Sequence, residues 1–536
     1  MCLIMILSLF SGCHSDDERI DFIYPFKGEI TSFDPQIAAT GDEFLVIENC
    51  FEGLIRITDN GDVLPGVAES WNISDDGLTY TFKLRQGAKW RIKEKSAVKE
   101  LMGEDFNPDI TANDFVFALR RACDPNTDSP LFSSIASIVN AADIHSGSRS
   151  VDQLGVAAND NYTLTINLQS ADNGFLNTLS TAVAMPCNEE YFNATKGRYG
   201  LGLDYTMFNG QFYVSNILDA SYILKSNDLY VGENSTKVTD ITLSIINEES
   251  DIPKNLKNGY YDAAYISGNE YEALGDNKIT VTPYSNKTWA MVLNKNRQLF
   301  HNETLRQAVC LSISNIDTQE HAYLSQATGL TPPSCIIDNN TADKMIGTTV
   351  PAQDTDKAIE LWRDGLVEEK FTSADLTVIT TKEMEEITKH LVQGIQGSIG
   401  QISSYGKSSS ISFSLKIEAL ETEEYNKRLS GGDYDLALCC FETSSHSPVT
   451  FLSDILNSNY TGEISSAQTA VENAQNVTAK ELSAACKAAE EEIINDWSLL
   501  PVLYESSYYA QAKGVSGIEF HPGSGRVSFI NATREK

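Results

Sequence analysis

Between Ala374 and Phe441 strand-like and helix-like segments alternate, and this order narrows the possible folds more than any other feature of the chain. Leu376 to Ile379 reads as a strand, Ile387, Leu391 and Ile395 share one helical face, and Ile411 to Ile417 reads as a second strand. A short helix around Glu421 to Arg428 leads into a further strand from Asp435 to Phe441. Helices placed between strands carry the chain back across a sheet, which is what parallel pairing requires. The expectation is therefore an α/β lobe with a substantially parallel sheet. Farther on, Thr478 and Glu481 cap a helix whose Leu482, Cys486, Ala489 and Ile493 share a face, before a Pro-containing strand from Leu499 to Tyr504. The C-terminal segment thus returns to a core.

One such lobe cannot use the whole chain. At 536 residues the sequence exceeds the roughly 250–300 residues over which a single hydrophobic core keeps growing, so two or more lobes are expected. With 41% hydrophobic residues and no apolar run near the roughly 20 residues of a membrane span, the body should be soluble and globular. The formal charge of −34 argues against nucleic acid as a partner, because no basic stripe is available to displace counterions from phosphates.

The stretch from Phe44 to Arg121 is the most legible locally. A short helix gives way to a turn-rich strand region in which Asn60-Gly61 and Asp76-Gly77 supply the positive-φ residues of tight reversals. From Thr79 to Arg85, Tyr80, Phe82 and Leu84 alternate with Thr79, Thr81, Lys83 and Arg85, the pattern of a half-buried strand. After a charged insertion, Thr111 and Asp114 form a capping-box-like start, and Phe115, Ala118, Leu119 and Ala122 recur at helical spacing.

An ordered set of motifs runs through this stretch: Glu52-Gly53-Leu54, Pro65 to Trp71, Ser74 to Gly77, Phe82 to Arg85, Lys89-Trp90 and Thr111 to Phe115. Together they closely resemble the signature of the extracytoplasmic solute-binding proteins of ABC peptide importers, the family of oligopeptide- and dipeptide-binding proteins. The resemblance continues through Asp124-Pro125, Ser129-Pro130, Asn209-Gly210, Val292 to Asn294 with Leu305 to Ala308, Gly432 to Leu436, and Leu500 to Tyr504. It implies a periplasmic-binding-protein-like two-lobed hinge fold with an extra lobe, built of mixed sheets flanked by helices. By resemblance, residues 20–53, 192–283 and 498–536 form a discontinuous lobe I, 54–191 lobe II and 284–497 lobe III, with 1–19 a lipoprotein signal and tether. Lobe III would close on lobe I by hinge motion, trapping a peptide ligand.

The same resemblance points to the site. A cleft that accepts many peptides must bind the backbone they share. One pairing segment follows Asp34-Pro35 and runs from Gln36 to Asp42, which makes Ala39 and Gly41 candidate ligand contacts. The opposing one runs from Cys439 to Thr443 and contributes Cys440, Phe441 and Glu442. Relatives that require a free peptide N-terminus carry an aspartate just beyond, before a Pro-x-Ser/Thr-Phe-Leu stretch kept here as Pro448, Thr450, Phe451 and Leu452. Counting back, that position holds Ser444, which accepts a hydrogen bond from an ammonium but cannot neutralise it. Glu442 is the nearest carboxylate, and Asp454 is a second one within reach of the same stretch. Leu131, with Phe132 beside it, stands where some relatives have an aromatic, and Leu438 where some have a basic residue. A blocked, cyclic or modified peptide, or another solute, is the alternative ligand.

Met1 to Gly12 is almost wholly apolar and ends at Cys13, which resembles a bacterial lipoprotein signal with Cys13 as the acylated residue, although no Lys or Arg precedes the apolar run. The implied partners are peptide, importer permeases and, through the lipid anchor, the outer face of the cell membrane, with the protein a monomer. Ten cysteines show neither a CxxC pair nor a Cys/His cluster at metal-ligand spacing, so no metal or cofactor is expected. Vicinal Cys439 and Cys440 read as buried thiols in a core strand, and disulfides among the others stay open. A secreted hydrolase is the rival from another class, but no HExxH, no GxSxG and no ordered Ser/His/Asp set is present, and His446 beside Ser444 and Ser445 reads as a loop histidine. A sensor on the same fold is a third reading.

Overall fold

A computed structural model describes residues 19–535, apart from 29, 59–61, 171, 173, 233–235, 247–250, 276–278, 319–320, 339, 403, 406–408, 444–445, 459–463, 476 and 522–525. The strand Thr79–Leu84 pairs with Ala68–Ile73 on one side and Thr163–Asn167 on the other, and Tyr80, Phe82 and Leu84 point into the core as their alternation requires. Gly77 turns the preceding reversal with φ 72°, whereas the Asn60-Gly61 turn lies outside the described residues. The helix Ala112–Cys123 starts in the expected capping box, with Asp114 accepting from the Thr111 N–H. Burial pushes the Asp114 carboxyl up to about 6, against the hydrogen bonds from Thr111 and Asn188.

The signature motifs turn out to be a junction of backbones. The N–H groups of Val67 and Ala68 donate to the carbonyls of Gly53 and Leu54, and Asn209 holds both the N–H and the C=O of Glu52. A Cβ on Gly66 would lie 2.6 Å from the Gly53 oxygen, and one on Gly210 would lie 2.5 Å from the Cys50 carbonyl carbon, so neither site admits a side chain. One continuous hydrophobic core runs from Phe22 and Phe26 through Phe82, Phe115 and Tyr191 to Phe529, uniting the segments expected as lobes I and II.

A seven-stranded sheet dominates the rest, in the spatial order Ala263–Ile266, Leu499–Gln511, Thr280–Leu293, Leu436–Glu442, Ser373–Thr381, Ser412–Leu420, with Leu324–Gln326 also paired to Leu499–Gln511. Only Ser373–Thr381 with its two neighbours pairs in parallel. The expected parallel sheet is therefore confined to the strand-helix-strand stretch, and the remaining strands, which arrive from distant parts of the chain, join it antiparallel. Helices Glu385–Gly397 and Thr422–Ser430 fall where the sequence places them, with Ile387, Leu391 and Ile395 buried. The helix Ala479–Asn495 begins in the Thr478–Glu481 capping box.

The two longest strands, Thr280–Leu293 and Leu499–Gln511, run antiparallel through two different cores. Tyr284, Tyr509 and Ala512 belong to the first core, whereas Trp289, Met291, Leu500 and Leu503 belong to a second that packs against Trp362 and Leu391. Between these ends the register shifts from Tyr284 to Lys287, and the Ser285 and Ser506 hydroxyls meet at 2.6 Å. Two strands with a polar, irregular waist are the covalent bridge from one core to the other.

Candidate functional site

Strand Leu436–Glu442 carries Cys440, Phe441 and Glu442 of the expected site. Its ladder with Thr280–Leu293 places Cys440 opposite Trp289 and Glu442 opposite Lys287. The Thr443 N–H donates to the Asn286 carbonyl at 3.0 Å. In an antiparallel ladder hydrogen-bonded pairs alternate with non-bonded ones, so Phe441 and Cys439 also face this neighbour while Leu438, Cys440 and Glu442 turn their N–H and C=O groups away from it. On that other side Ser373–Thr381 pairs only with Leu436 and Ala437. Tyr425 then wedges in from the helix Thr422–Ser430 and donates its hydroxyl to the Leu438 carbonyl at 2.7 Å. Beyond it, among the described residues, no strand pairs with the edge presented by Cys440 and Glu442.

Side chains alternate as the backbone does. Phe441 and Cys439 enter a core with Ala290, Val292 and Phe451. Cys440 is exposed, not buried as its neighbour is, because adjacent residues of a strand face opposite sides of a sheet. It is open to water yet crowded by protein, which raises its thiol by desolvation, with Lys287 pulling down and Glu505 and Glu442 pushing up.

The residues around Cys440 form a polar network that the sequence did not announce. Lys287 Nζ lies 3.0 Å from Glu505 Oε1, and Trp289 Nε1 donates to Glu505 Oε2 at 2.6 Å, so both oxygens of Glu505 are engaged. Burial alone would lower the Lys287 ammonium, but Glu505 and Glu442 more than offset it and hold it above the ordinary lysine value. Asn286, itself buried, donates to Glu442 Oε1 at 3.0 Å. Glu442 is exposed, and its other oxygen has no hydrogen-bond partner among the described residues. Ser444 lies outside the described residues. His446 is half-buried, its Nδ1 lies 2.9 Å from the Ser334 carbonyl, and its own carbonyl accepts the Ile336 N–H. Burial lowers its pKa, the Ser334 contact opposes that, and Arg526 of the first core adds to it.

The segment expected to face this strand is held by the carboxylate of Glu43. Glu43 Oε1 accepts the N–H and hydroxyl of Thr31 and the Ser32 N–H, and Oε2 accepts the Ala39 and Thr40 N–H groups at 2.8 and 3.1 Å. Burial would raise the Glu43 carboxyl, but these donors outweigh it and hold it below the ordinary value. The Ala39 N–H is thereby occupied within the protein. Gly41, the first residue of the helix Gly41–Cys50, is exposed with open space where a Cβ would stand. Just upstream, Asp34 takes a fork from Arg121 at 2.5 and 3.2 Å, and the same guanidinium reaches Gln36 Oε1 at 2.9 Å and lies 4.1 Å over the Phe192 ring. The Ser129 hydroxyl donates to the Gln36 carbonyl and accepts the Leu131 N–H, which joins Leu131 to this segment. Of the residues read from sequence, the structure brings Ala39, Gly41 and Leu131 to the first core and Cys440, Phe441 and Glu442 to the sheet of the second. The Thr40-x-x-Glu43 capping box was readable in the sequence; the Lys287, Trp289 and Glu505 cluster was not, since its members meet only through strand register.

The family described as bacterial extracellular solute-binding proteins, family 5 Middle, matches residues 62–463. The dipeptide-binding protein DppE of Bacillus subtilis is 24% identical over 515 residues, covering 92% of this chain and 89% of the relative. The fold is similar to the substrate-binding domain of an oligopeptide ABC transporter from Bacillus anthracis, with TM-score 0.74, 24% identity, and coverage of 96% of this chain and 99% of the other. It is also similar to a Listeria monocytogenes OppA bound to peptide, with TM-score 0.73, 20% identity, and coverage of 97% and 99%.

Proposed function

The chain belongs to the bacterial extracellular solute-binding proteins of family 5, and from that premise we propose that it captures peptides between its two cores and delivers them to an ABC importer. The observation that carries this reading is the open edge of Leu436–Glu442, where Cys440 and Glu442 present main-chain donors and acceptors to the cleft. An extended peptide laid along that edge adds a strand, and main-chain pairing is indifferent to the ligand's side chains. The Gln36–Asp42 segment, Gly41 and Leu131 form the opposing wall. The residues 20–53, 192–283 and 498–536 with 54–191 act as one body and 284–497 as the other, bending at the waist of the two long strands. No chemistry is performed on the ligand.

Within this reading Glu442 takes the ligand's ammonium. Its carboxylate stands on the open edge, Asn286 fixes one oxygen, and the other is available. Ser444 lacks the charge to do so. Cys13 is the proposed acyl attachment that keeps the protein on the extracytoplasmic membrane face, and it lies outside the described residues. Among those residues no helix is long and apolar enough to cross a membrane.

Native mass spectrometry with a pool of free and N-acetylated short peptides tests the proposal. Retention of free peptides, weakened at least tenfold by Glu442→Gln, is expected, since a charged hydrogen bond of about 1.5–3 kcal/mol is being removed. Retention of blocked peptides only would overturn the role of Glu442, and no peptide binding at all would overturn the peptide assignment.

A further inference from the structure

The edge of Leu499–Gln511 that faces away from Thr280–Leu293 is shared by two strands, one from each body. Ala263–Ile266 pairs with residues 508–511, and Leu324–Gln326 pairs with residues 503–505. Only Ser506 and Ser507, at the polar waist, lie between them. The Tyr323 carbonyl accepts the Ser506 N–H at 2.8 Å, so the segment from the 284–497 body reaches the middle of the waist. Tyr323 immediately precedes its strand, and Ser267 and Gly268, the latter opening the helix Gly268–Leu274, immediately follow the other. The two strand ends therefore abut at Tyr323 and Gly268. A Cβ on Gly268 would collide with Cβ and Cγ of Tyr323, so that side chain lies directly on the glycine backbone. The φ of Gly268 lies outside the left-handed region, so it is the close approach, and not the turn, that requires glycine here. Tyr323 is half-buried and packs both against the second core and against the apolar cluster of Ile266, Leu274 and Tyr508 on the other body. Beside it the Tyr508 hydroxyl donates to the Ala322 carbonyl at 3.4 Å, and the Tyr508 ring stacks on Tyr271 at 4.0 Å. Burial raises the Tyr323 hydroxyl, and carboxylates from both bodies, Glu272 and Glu383, add to it together with Glu505 of the long strand.

We propose that Tyr323 seated on Gly268 is a clasp across the hinge, which holds the two bodies in the arrangement described and is released when they turn. The clasp rests on the two-body reading of peptide capture. Bending the long strands at Ser506 acts first on the gap between the two strand ends, because each end is paired on its own side of the waist and belongs to a different body. A ring already in contact with backbone cannot be pressed closer, and turning the other way lifts it off Gly268 and returns apolar surface to water. Such a contact is made or broken, not stretched, so it divides the motion into two arrangements. A peptide that prefers one of them is held according to the fraction of protein in that arrangement, so the clasp sets affinity without touching the ligand.

Gly268→Ala is the test, since alanine is the better helix former and its methyl displaces only the tyrosine. Spin labels carried by unnatural amino acids at the exposed positions Leu101 and Val367, one on each body, report the distance distribution in the full-length protein. The expected result is a distribution that shifts in Gly268→Ala and shifts the same way in Tyr323→Ala, with the dissociation constant of a peptide recovered from the pool of short peptides changed by about fivefold or more. The two substitutions should be non-additive, because Gly268→Ala has nothing to displace once Tyr323 is gone. A wild-type distribution in both variants that still moves when peptide is added overturns the clasp and leaves two-body capture standing. A distribution that neither the variants nor peptide moves overturns the two-body reading and the clasp with it. Full additivity also overturns the clasp, since Gly268 would then act on something other than Tyr323.

Discussion

Replacing Glu43 by Gln is the sharpest perturbation of the segment that precedes the helix Gly41–Cys50. The side chain keeps its shape, but one of its two acceptor oxygens becomes an NH2 donor. Oε1 serves three donors and Oε2 two, so the amide turns its NH2 toward the pair it costs less to lose, the N–H groups of Ala39 and Thr40. Each of these is left without an acceptor at about 1–3 kcal/mol. The three remaining bonds lose their charge assistance and weaken by roughly half. The expected destabilisation at pH 7 is about 2–5 kcal/mol, with faster amide exchange at Thr31, Ser32, Ala39 and Thr40. The effect must also depend on pH. The Glu43 carboxyl is held below its ordinary value of 4.5 in the folded protein. Its contribution is therefore complete above that unfolded value and is lost as pH falls through the lower folded value. Urea unfolding of both proteins at pH 7 and at successively lower pH, followed by tryptophan fluorescence, measures the difference. A wild-type advantage that is large at pH 7 and shrinks below about pH 4 is expected. A difference under about 0.5 kcal/mol at pH 7, or one that is the same at every pH, would refute the assignment of Glu43 as the anionic anchor of this segment.

The Asp34–Arg121 fork is buried, with side chains 3% and 9% exposed, so Arg121→Met should cost about 3–5 kcal/mol by stranding the carboxylate, and Asp34→Asn combined with it should recover part of that loss in urea unfolding; a double variant no more stable than the single would contradict the pairing. Proline scanning of the open strand separates ligand from fold. Cys440→Pro removes an N–H that faces away from the neighbouring strand and should abolish peptide retention with little change in unfolding midpoint, whereas Phe441→Pro removes a ladder N–H and should unfold the strand. Equal effects of the two on stability would show that the edge of Cys440 is not open.

Features that depend on near neighbours are legible in the sequence itself. The alternation of Tyr80, Phe82 and Leu84, the capping boxes at Thr111 and Thr478, and the strand and helix order from Ala374 to Phe441 follow from the two- and 3.6-residue periods and from local hydrogen bonding. The motifs around Glu52, Gly66 and Asn209 announced the family, and the structure explains them as a junction where backbones approach too closely for a Cβ.

What tertiary structure alone decided is how distant segments are registered against one another. The sequence does not say that the strand Ser373–Thr381 stops pairing at Ala437, so it does not say that Cys440 and Glu442 lie on an open edge. Cys439 and Cys440 look alike in sequence, yet one enters the core and the other is exposed, because the strand's register and neighbours choose which face is covered. Lys287, Trp289 and Glu505 become one network only when the strands Thr280–Leu293 and Leu499–Gln511, some two hundred residues apart, settle their register. Local periods determine what each segment is; long-range pairing determines which of its groups are left for a ligand.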